Sequence, residues 1–253
     1  MISVVILTKN SARTLANTLR SLAKFPEVLI VDTGSSDQTL EIANSYSNVR
    51  VLAKKFSTFG PTRNAASLEA RHDWILSIDS DEALSPSLEH AIRTASLDPN
   101  CVYGLVRENY FRGKKITCSG WNDEKRIRLY HRKKTAFTED FVHEKIETKG
   151  FEMKYFPGSL LHTPFLEERD FIEKLQYYTD LYAKQHHGTP SSYKKAAFRG
   201  LWSFFRAYIL QKGCLFGSAG WTISFYKGLS SYYKYAKLAE LNRSDENIQR
   251  ASS

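Results

Sequence analysis

The chain has 253 residues, of which 42% are hydrophobic and 25% charged, and it carries a formal charge of +9. That is long enough for one large α/β domain or a domain with a sizeable appendage, and the composition is that of a folded chain, not a disordered one. The three cysteines, Cys101, Cys118 and Cys214, form no CxxC pair, which argues against a disulfide framework or structural zinc site and fits a reducing compartment.

The opening MISVVILTKN has no basic n-region and no cleavage pattern, so it reads as a first strand and not as a signal peptide. From there the pattern alternates. Residues 3–8 are a β-branched apolar run, and 11–25 place Ala12, Leu15, Ala16, Leu19, Leu22 and Ala23 on one helical face. EVLIVD is a second strand, and residues 35–47 open a helix with Ser35 and Gln38 in capping-box spacing. Residues 49–56 read as a third strand, 62–72 as a helix and 73–79 as a fourth strand. Ser85 and Pro86 then stand where a helix N-cap and first position belong. Strand–helix alternation with near-continuous apolar strands predicts a parallel sheet covered on both faces.

Ligands of such sheets bind beyond the carboxyl ends of the strands. Polar residues follow the strands directly: Thr8, Lys9 and Asn10 after the first, Asp32 after the second, and Asp79, Asp81 and Glu82 after the fourth. No Gly-rich dinucleotide fingerprint or P-loop is present, which disfavours nicotinamide and ATP sites of those types. Crowded carboxylates either share protons or hold a hard divalent cation. Mg²⁺ or Mn²⁺ bridging to a nucleotide diphosphate would neutralise the DSDE stretch. Asp32 has a second reading, as a turn former ahead of TGSSD.

The motifs VVILTKN, LIVDTGSSDQT, FGPTRNAA and WILSIDSDE, in that order, resemble the nucleotide-sugar domain of family 2 inverting glycosyltransferases of the GT-A type. RIRLYHRKKTAF, VHEKI and FFRAYILQKG resemble that family's lipopolysaccharide-core glucosyltransferase branch. The resemblance implies a Rossmann-like α/β fold, a mostly parallel sheet with helices on both faces, followed by a helical C-terminal extension. The expected division is a catalytic domain over residues 1–165 and a basic, aromatic-rich extension over 166–253.

The resemblance also implies roles. Asp32 would contact the uracil or ribose of a UDP-sugar, and Thr8 and Asn10 would line the same pocket. Arg63 would lie near the diphosphate or sugar, Asp79 on ribose or metal, and Asp81 on the metal. Glu82 would sit close by, towards the sugar or acceptor. Inverting transfer needs a carboxylate base near the acceptor hydroxyl. Glu144 of the VHE triplet is the favoured base and Asp140 its rival. His143 would ligate the metal or meet the diphosphate. Trp121 is either a platform for a sugar face or a core anchor.

In the last third, Phe171, Leu175, Tyr178 and Tyr182 recur at helical spacing. Residues 183–243 hold ten Lys or Arg against the single acid Glu240. No apolar run reaches the roughly 18 residues of a spanning helix, and Arg206 and Lys212 interrupt the best stretch. Basic aromatic helices of this kind either lie on an anionic membrane surface, form an ordinary hairpin, or self-associate as a homo-oligomer. The expected partners are therefore a UDP-glucose-type donor and a lipid-linked saccharide acceptor, met on the cytoplasmic side of the membrane, with no nucleic acid. Two rival readings are a haloacid dehalogenase-type phosphatase, whose D-x-D follows the first strand, and a non-enzymatic basic module binding membrane or nucleic acid.

Overall fold

The computed structural model describes residues 1–138 and 144–252, with side chains through Ser244. The first elements are β1 (Ile2–Thr8), α1 (Ala12–Arg20), β2 (Glu27–Asp32), α2 (Thr39–Asn44), β3 (Val49–Ala53), α3 (Phe59–Leu68) and β4 (Trp74–Asp79). After them come β5 (Glu82–Leu84), α4 (Pro86–Thr94), β6 (Cys101–Phe111), β7 (Lys114–Lys115), β8 (Glu124–His131) and β9 (Glu152–Phe165). Three helices complete the chain: α5 (Glu168–Gln185), α6 (Tyr193–Phe205) and α7 (Gly217–Ser252). The chain divides into two compact units, residues 1–108 with 123–163, and residues 109–122 with 164–253.

In the first unit the strands run in the order β3-β2-β1-β4-β8-β6-β9-β5. The first four are mutually parallel, whereas β8 is antiparallel to β4 and to β6, and β5 to β9. Successive side chains of a strand face opposite sides. Val4 and Ile6 therefore pack with Leu15, Leu19 and Leu22 on one face, while Val5, Leu29 and Val31 pack with Ala66 and Ala70 on the other. Both faces are covered, which is why the strands read as unbroken apolar runs and not as an alternation.

Two helix starts differ from expectation. α2 begins at Thr39, and Gln38 makes no side-chain cap. The Ser35 hydroxyl is taken by Asp32 at 2.5 Å, and Asp37 caps the helix by accepting from the Thr39 N–H at 3.0 Å. α3 begins at Phe59, with Pro61 inside its first turn, where a missing N–H costs no helical bond. The α4 start matches the sequence reading: Ser85 Oγ accepts from the Leu88 N–H at 3.3 Å and Pro86 is the first helical residue.

In the second unit β7 pairs with Tyr110 and Phe111. Phe111, Ile116, Cys118, Phe171 and Ile223 form its core. α6 runs on into a π turn (Arg206–Leu210), and Lys212, at φ +60°, breaks the helical path ahead of α7. Cys101 and Cys118 are buried and Cys214 is exposed, all three as free thiols. Among the described residues no helix is long and apolar enough to cross a membrane.

Candidate active site at the carboxyl ends of the parallel strands

Register brings the strand-end residues to one level. Thr8 of β1 pairs with Asp32 of β2, and Leu7 with Asp79 of β4. The loops that follow are tied together. Asn10 adopts a left-handed φ of 51°, accepts from the Ser36 N–H at 2.8 Å, and donates its own N–H to Ser35 Oγ at 3.0 Å. Asp37 accepts from the Ala12 N–H at 3.1 Å. The Ser11 and Ser80 hydroxyls lie 2.8 Å apart, joining the loop after β1 to the turn after β4.

Asp32 serves its own turn. Its Oδ2 accepts from the Gly34 and Ser35 N–H groups, both at 3.0 Å, and Oδ1 from the Ser35 hydroxyl at 2.5 Å and Thr8 Oγ1 at 3.4 Å. Burial alone would raise its pKa, but these donors outweigh it and hold the carboxyl below its ordinary value. Gly34, at φ +104°, lets the turn close. TGSSD is thus a rigid cassette that presents the β2 end, and the turn-forming reading of Asp32 is realised.

The acids after β4 meet arginines. Arg63 is buried on α3 and donates to Asp79 Oδ1, to Ser77 Oγ at 2.8 Å and to Glu144 Oε1 at 3.4 Å. Arg128 of β8 donates to Asp79 Oδ2 at 2.9 Å and to Glu82 Oε1 at 2.7 Å. Arg107 of β6 stands 3.5 Å from Glu82 and donates to Glu124 at 2.8 Å. An ionic chain therefore runs Glu144–Arg63–Asp79–Arg128–Glu82–Arg107–Glu124. Burial would raise the Asp79 pKa, yet Arg128 and Arg63 hold it well below the usual carboxylate range. Burial pushes Glu82 up, aided by the neighbouring Asp79 and only partly offset by Arg128.

The sequence reading set Glu82 towards the sugar or acceptor. Its side chain is 0% exposed and spends its other oxygen on the Asp79 N–H at 2.9 Å. A carboxylate so placed orients the turn from beneath and has no surface to offer a substrate. Asp79, expected on ribose or metal, likewise has both oxygens engaged by arginine.

Asp81 has a different environment. Its carboxylate has His162 Nε2 at 3.7 Å, and its carbonyl accepts from the Thr163 N–H at 3.0 Å. The β5–β9 pairing, with Glu82 opposite His162, creates this juxtaposition. Among the described residues no group of three or more His, Cys, Asp or Glu could hold an ion unaided. The carboxylate fits a cation such as Mg²⁺ or Mn²⁺ that completes its shell with phosphate and water, and an imidazole nitrogen beside it suits Mn²⁺ better than Mg²⁺, which prefers oxygen.

Glu144 is reached through α3. A Cβ on Gly60 would lie 2.1 Å from the Thr138 carbonyl oxygen, so only glycine admits this approach. One turn on, the Asn64 amide clasps the Phe137 backbone, donating to its carbonyl and accepting from its N–H, both at 2.9 Å. Thr138 and Lys145 then bond across, N–H to carbonyl, at 2.8 Å. FGPTRN is therefore a device that brings Arg63 and Glu144 together. Asp140 and His143 lie outside the described residues. Trp121 belongs to the second unit, where its ring stacks on Phe165 at 5.7 Å and its carbonyl accepts from Asn109 at 3.5 Å.

Residues 3–151, more than half of the chain, match the family model for Glycosyl transferase family 2. The chain belongs to that family. Its α/β sheet with a helical C-terminal part is the GT-A-like architecture of a family 2 glycosyltransferase, and the protein is an enzyme of that class. An uncharacterized glycosyltransferase of Rickettsia typhi is 26% identical over 263 residues, covering 98% of this chain and 89% of its own. The lipopolysaccharide core biosynthesis glycosyltransferase LpsC of Rhizobium meliloti is 26% identical over 186 residues, covering 70% of this chain and 69% of its own. Among solved structures, S. aureus TarS 1-349 aligns over 100% of this chain and 92% of its own, at 18% identity and a TM-score of 0.40. Membership of the family sets aside the phosphatase and the non-enzymatic module.

Three site residues escaped the sequence reading. Arg107, Arg128 and His162 lie on β6, β8 and β9, strands whose pairing no local pattern announces. Glu124, Arg126 and Arg128 do alternate within EKRIRLYH at the spacing of one strand face, and three unneutralised acids after β4 call for partners of that kind.

Proposed function

We propose that the chain is a metal-dependent, inverting hexosyltransferase that moves glucose from UDP-glucose to a saccharide acceptor. The observation that carries this reading is the pairing of Asp81 with His162 where the parallel strands end, beside acids that arginines already neutralise. Asp81 and His162 would hold Mg²⁺ or Mn²⁺, and Thr8, Asn10 and the Asp32 turn would line the nucleoside pocket. When bound, the cation supplies positive charge to the departing diphosphate.

Glu144 is the base. It takes the proton from the acceptor hydroxyl as the new oxygen–C1 bond forms, while the bond from C1 to the diphosphate oxygen breaks and its electron pair leaves with UDP. Arg63 orients Glu144 and links it to Asp79, so the base and the strand-end turn keep one geometry. For the acceptor, the name of the LpsC relative supports a lipopolysaccharide-core saccharide, and we place that saccharide on lipid at the inner face of the cytoplasmic membrane.

The test is calorimetric titration of UDP into wild type, Asp81→Ala and His162→Ala, with and without Mn²⁺. Wild type binds only with the metal, and each variant loses at least about tenfold in affinity, the scale of one lost ligand or its support. UDP binding that is metal-independent, or unchanged in Asp81→Ala, removes the reading.

A further inference from the structure

α6 carries its apolar residues on the side facing away from the rest of its unit. The side packed on α7 holds small residues. Ala196 and Ala207 are buried, and Ser203 Oγ donates to the Lys227 carbonyl at 3.3 Å. A Cβ on Gly200 would come within 2.9 Å of Tyr232 Cβ, and one on Gly228 within 2.9 Å of Phe204 Cβ. Each glycine thus makes room for a larger residue of the other helix, Gly200 for Tyr232 and Gly228 for Phe204, and the two helices pack closely there. At about 100° per residue, positions 198, 201, 202 and 205 fall opposite that seam. They are occupied by Phe198, Leu201, Trp202 and Phe205, and Phe198 is 68% and Leu201 71% exposed.

The patch continues along the chain. Ile209 and Leu215 are exposed, and so are Trp221 and Phe225 one turn apart on α7. Trp202 stacks with Phe205 at 5.8 Å and Trp221 with Phe225 at 6.3 Å, so the surface is a set of ring pairs. Residues 198–225 also contain Arg199, Arg206 and Lys212 and no Asp or Glu. A soluble helix buries its apolar stripe, whereas this one leaves Phe198, Leu201, Trp202 and Phe205 exposed.

We infer that the face formed by α6, the π turn and the start of α7 docks on an anionic lipid bilayer. Trp and Phe rings suit the boundary between headgroups and acyl chains, and the three cations meet the anionic headgroups. A second copy of the same face would set Arg199, Arg206 and Lys212 against their own duplicates with no acid to pair. A bilayer supplies the missing counter-charge. Because no described helix can cross a membrane, the face lies on the surface. It lies outside the donor chemistry proposed above, and its test does not read transfer.

The test is flotation of the full chain with vesicles of phosphatidylglycerol and phosphatidylcholine, against pure phosphatidylcholine. Wild type floats with the anionic vesicles and stays behind with the neutral ones. The double variant Leu201→Ser/Phe205→Ser, checked for unchanged circular dichroism, loses at least about tenfold in partitioning, as removal of two inserted apolar side chains requires. The triple variant Arg199→Gln/Arg206→Gln/Lys212→Gln, or high salt, abolishes the preference for anionic lipid. Failure of wild type to float overturns the inference. So does a wild-type dimer in sedimentation equilibrium that the double variant disperses, because a second copy would then cover the face.

Discussion

Replacing Arg128 by Met tests whether arginine, and no bound ligand, neutralises Asp79 and Glu82. Arg128 is the shared partner of Asp79, at 2.9 Å, and of the fully buried Glu82, at 2.7 Å. Breaking a buried ion pair by deleting one partner leaves an uncompensated charge and costs about 3–5 kcal/mol. Arg63 still holds Asp79, and Arg107 stands 3.5 Å from Glu82, so the loss falls at the low end of that range. About 3 kcal/mol corresponds to a fall in Tm of about 6–12 °C for a chain of this size. The pH dependence carries its own sign. Glu82 already has a raised pKa in the fold, chiefly from burial, and loses a cation in the variant, so its pKa rises further. A folded state that binds a proton more readily than the unfolded one gains stability as pH falls. The deficit of Arg128→Met against wild type therefore narrows from pH 8 towards the ordinary carboxylate range. Adding Glu82→Gln recovers part of it at neutral pH, because both partners are then neutral. Urea unfolding of the four proteins of this cycle at several pH values provides the measurement. A loss below about 1 kcal/mol, which is the scale of an exposed pair, or a deficit independent of pH, refutes the reasoning.

Three further outcomes are expected. Glu144→Gln keeps metal-dependent UDP binding and lowers transfer by about 10²–10⁴-fold, the usual weight of a general base; an Asp140→Asn variant that does this in its place moves the base there. Gly60→Ala drives a Cβ onto the Thr138 carbonyl, so it costs about 1–3 kcal/mol of stability in thermal unfolding, and transfer falls with it as Glu144 is displaced. Equal activity and stability in that variant show that the approach is not needed. Ser85→Ala removes the α4 cap and costs about 1 kcal/mol, with no change in UDP affinity in calorimetry.

Acid lability follows from the same cluster. Asp79 has its pKa well below its ordinary value, with Arg128 and Arg63 overcoming the effect of burial. A depressed carboxyl contributes stability above its unfolded pKa and loses it as pH falls through the folded one. Asp79 and Glu82 therefore oppose each other with pH, and removing Arg63 or Arg128 weakens that opposition, because Asp79 then loses a cation that depresses its pKa.

The alternation of strands and helices, the Ser85–Pro86 helix start and the polar residues at strand ends were legible in the sequence, because each is written in neighbours along the chain. Strand apolarity follows from burial on both faces, and a cap acts within three residues. Even the acidic turn after β4 stood out, as did the question of what neutralises it. The answer was not local. Arg63 comes from a helix that precedes β4, whereas Arg128, Arg107 and His162 arrive on β8, β6 and β9, whose order in the sheet departs from their order in the chain. Ion pairing over such separations depends on which strands lie side by side, and residue type alone does not state that. The same holds for α6. Its sequence shows a basic, aromatic-rich segment, but only packing through Gly200 and Gly228 determines which side meets α7 and which residues, Phe198, Leu201, Trp202 and Phe205, are left exposed.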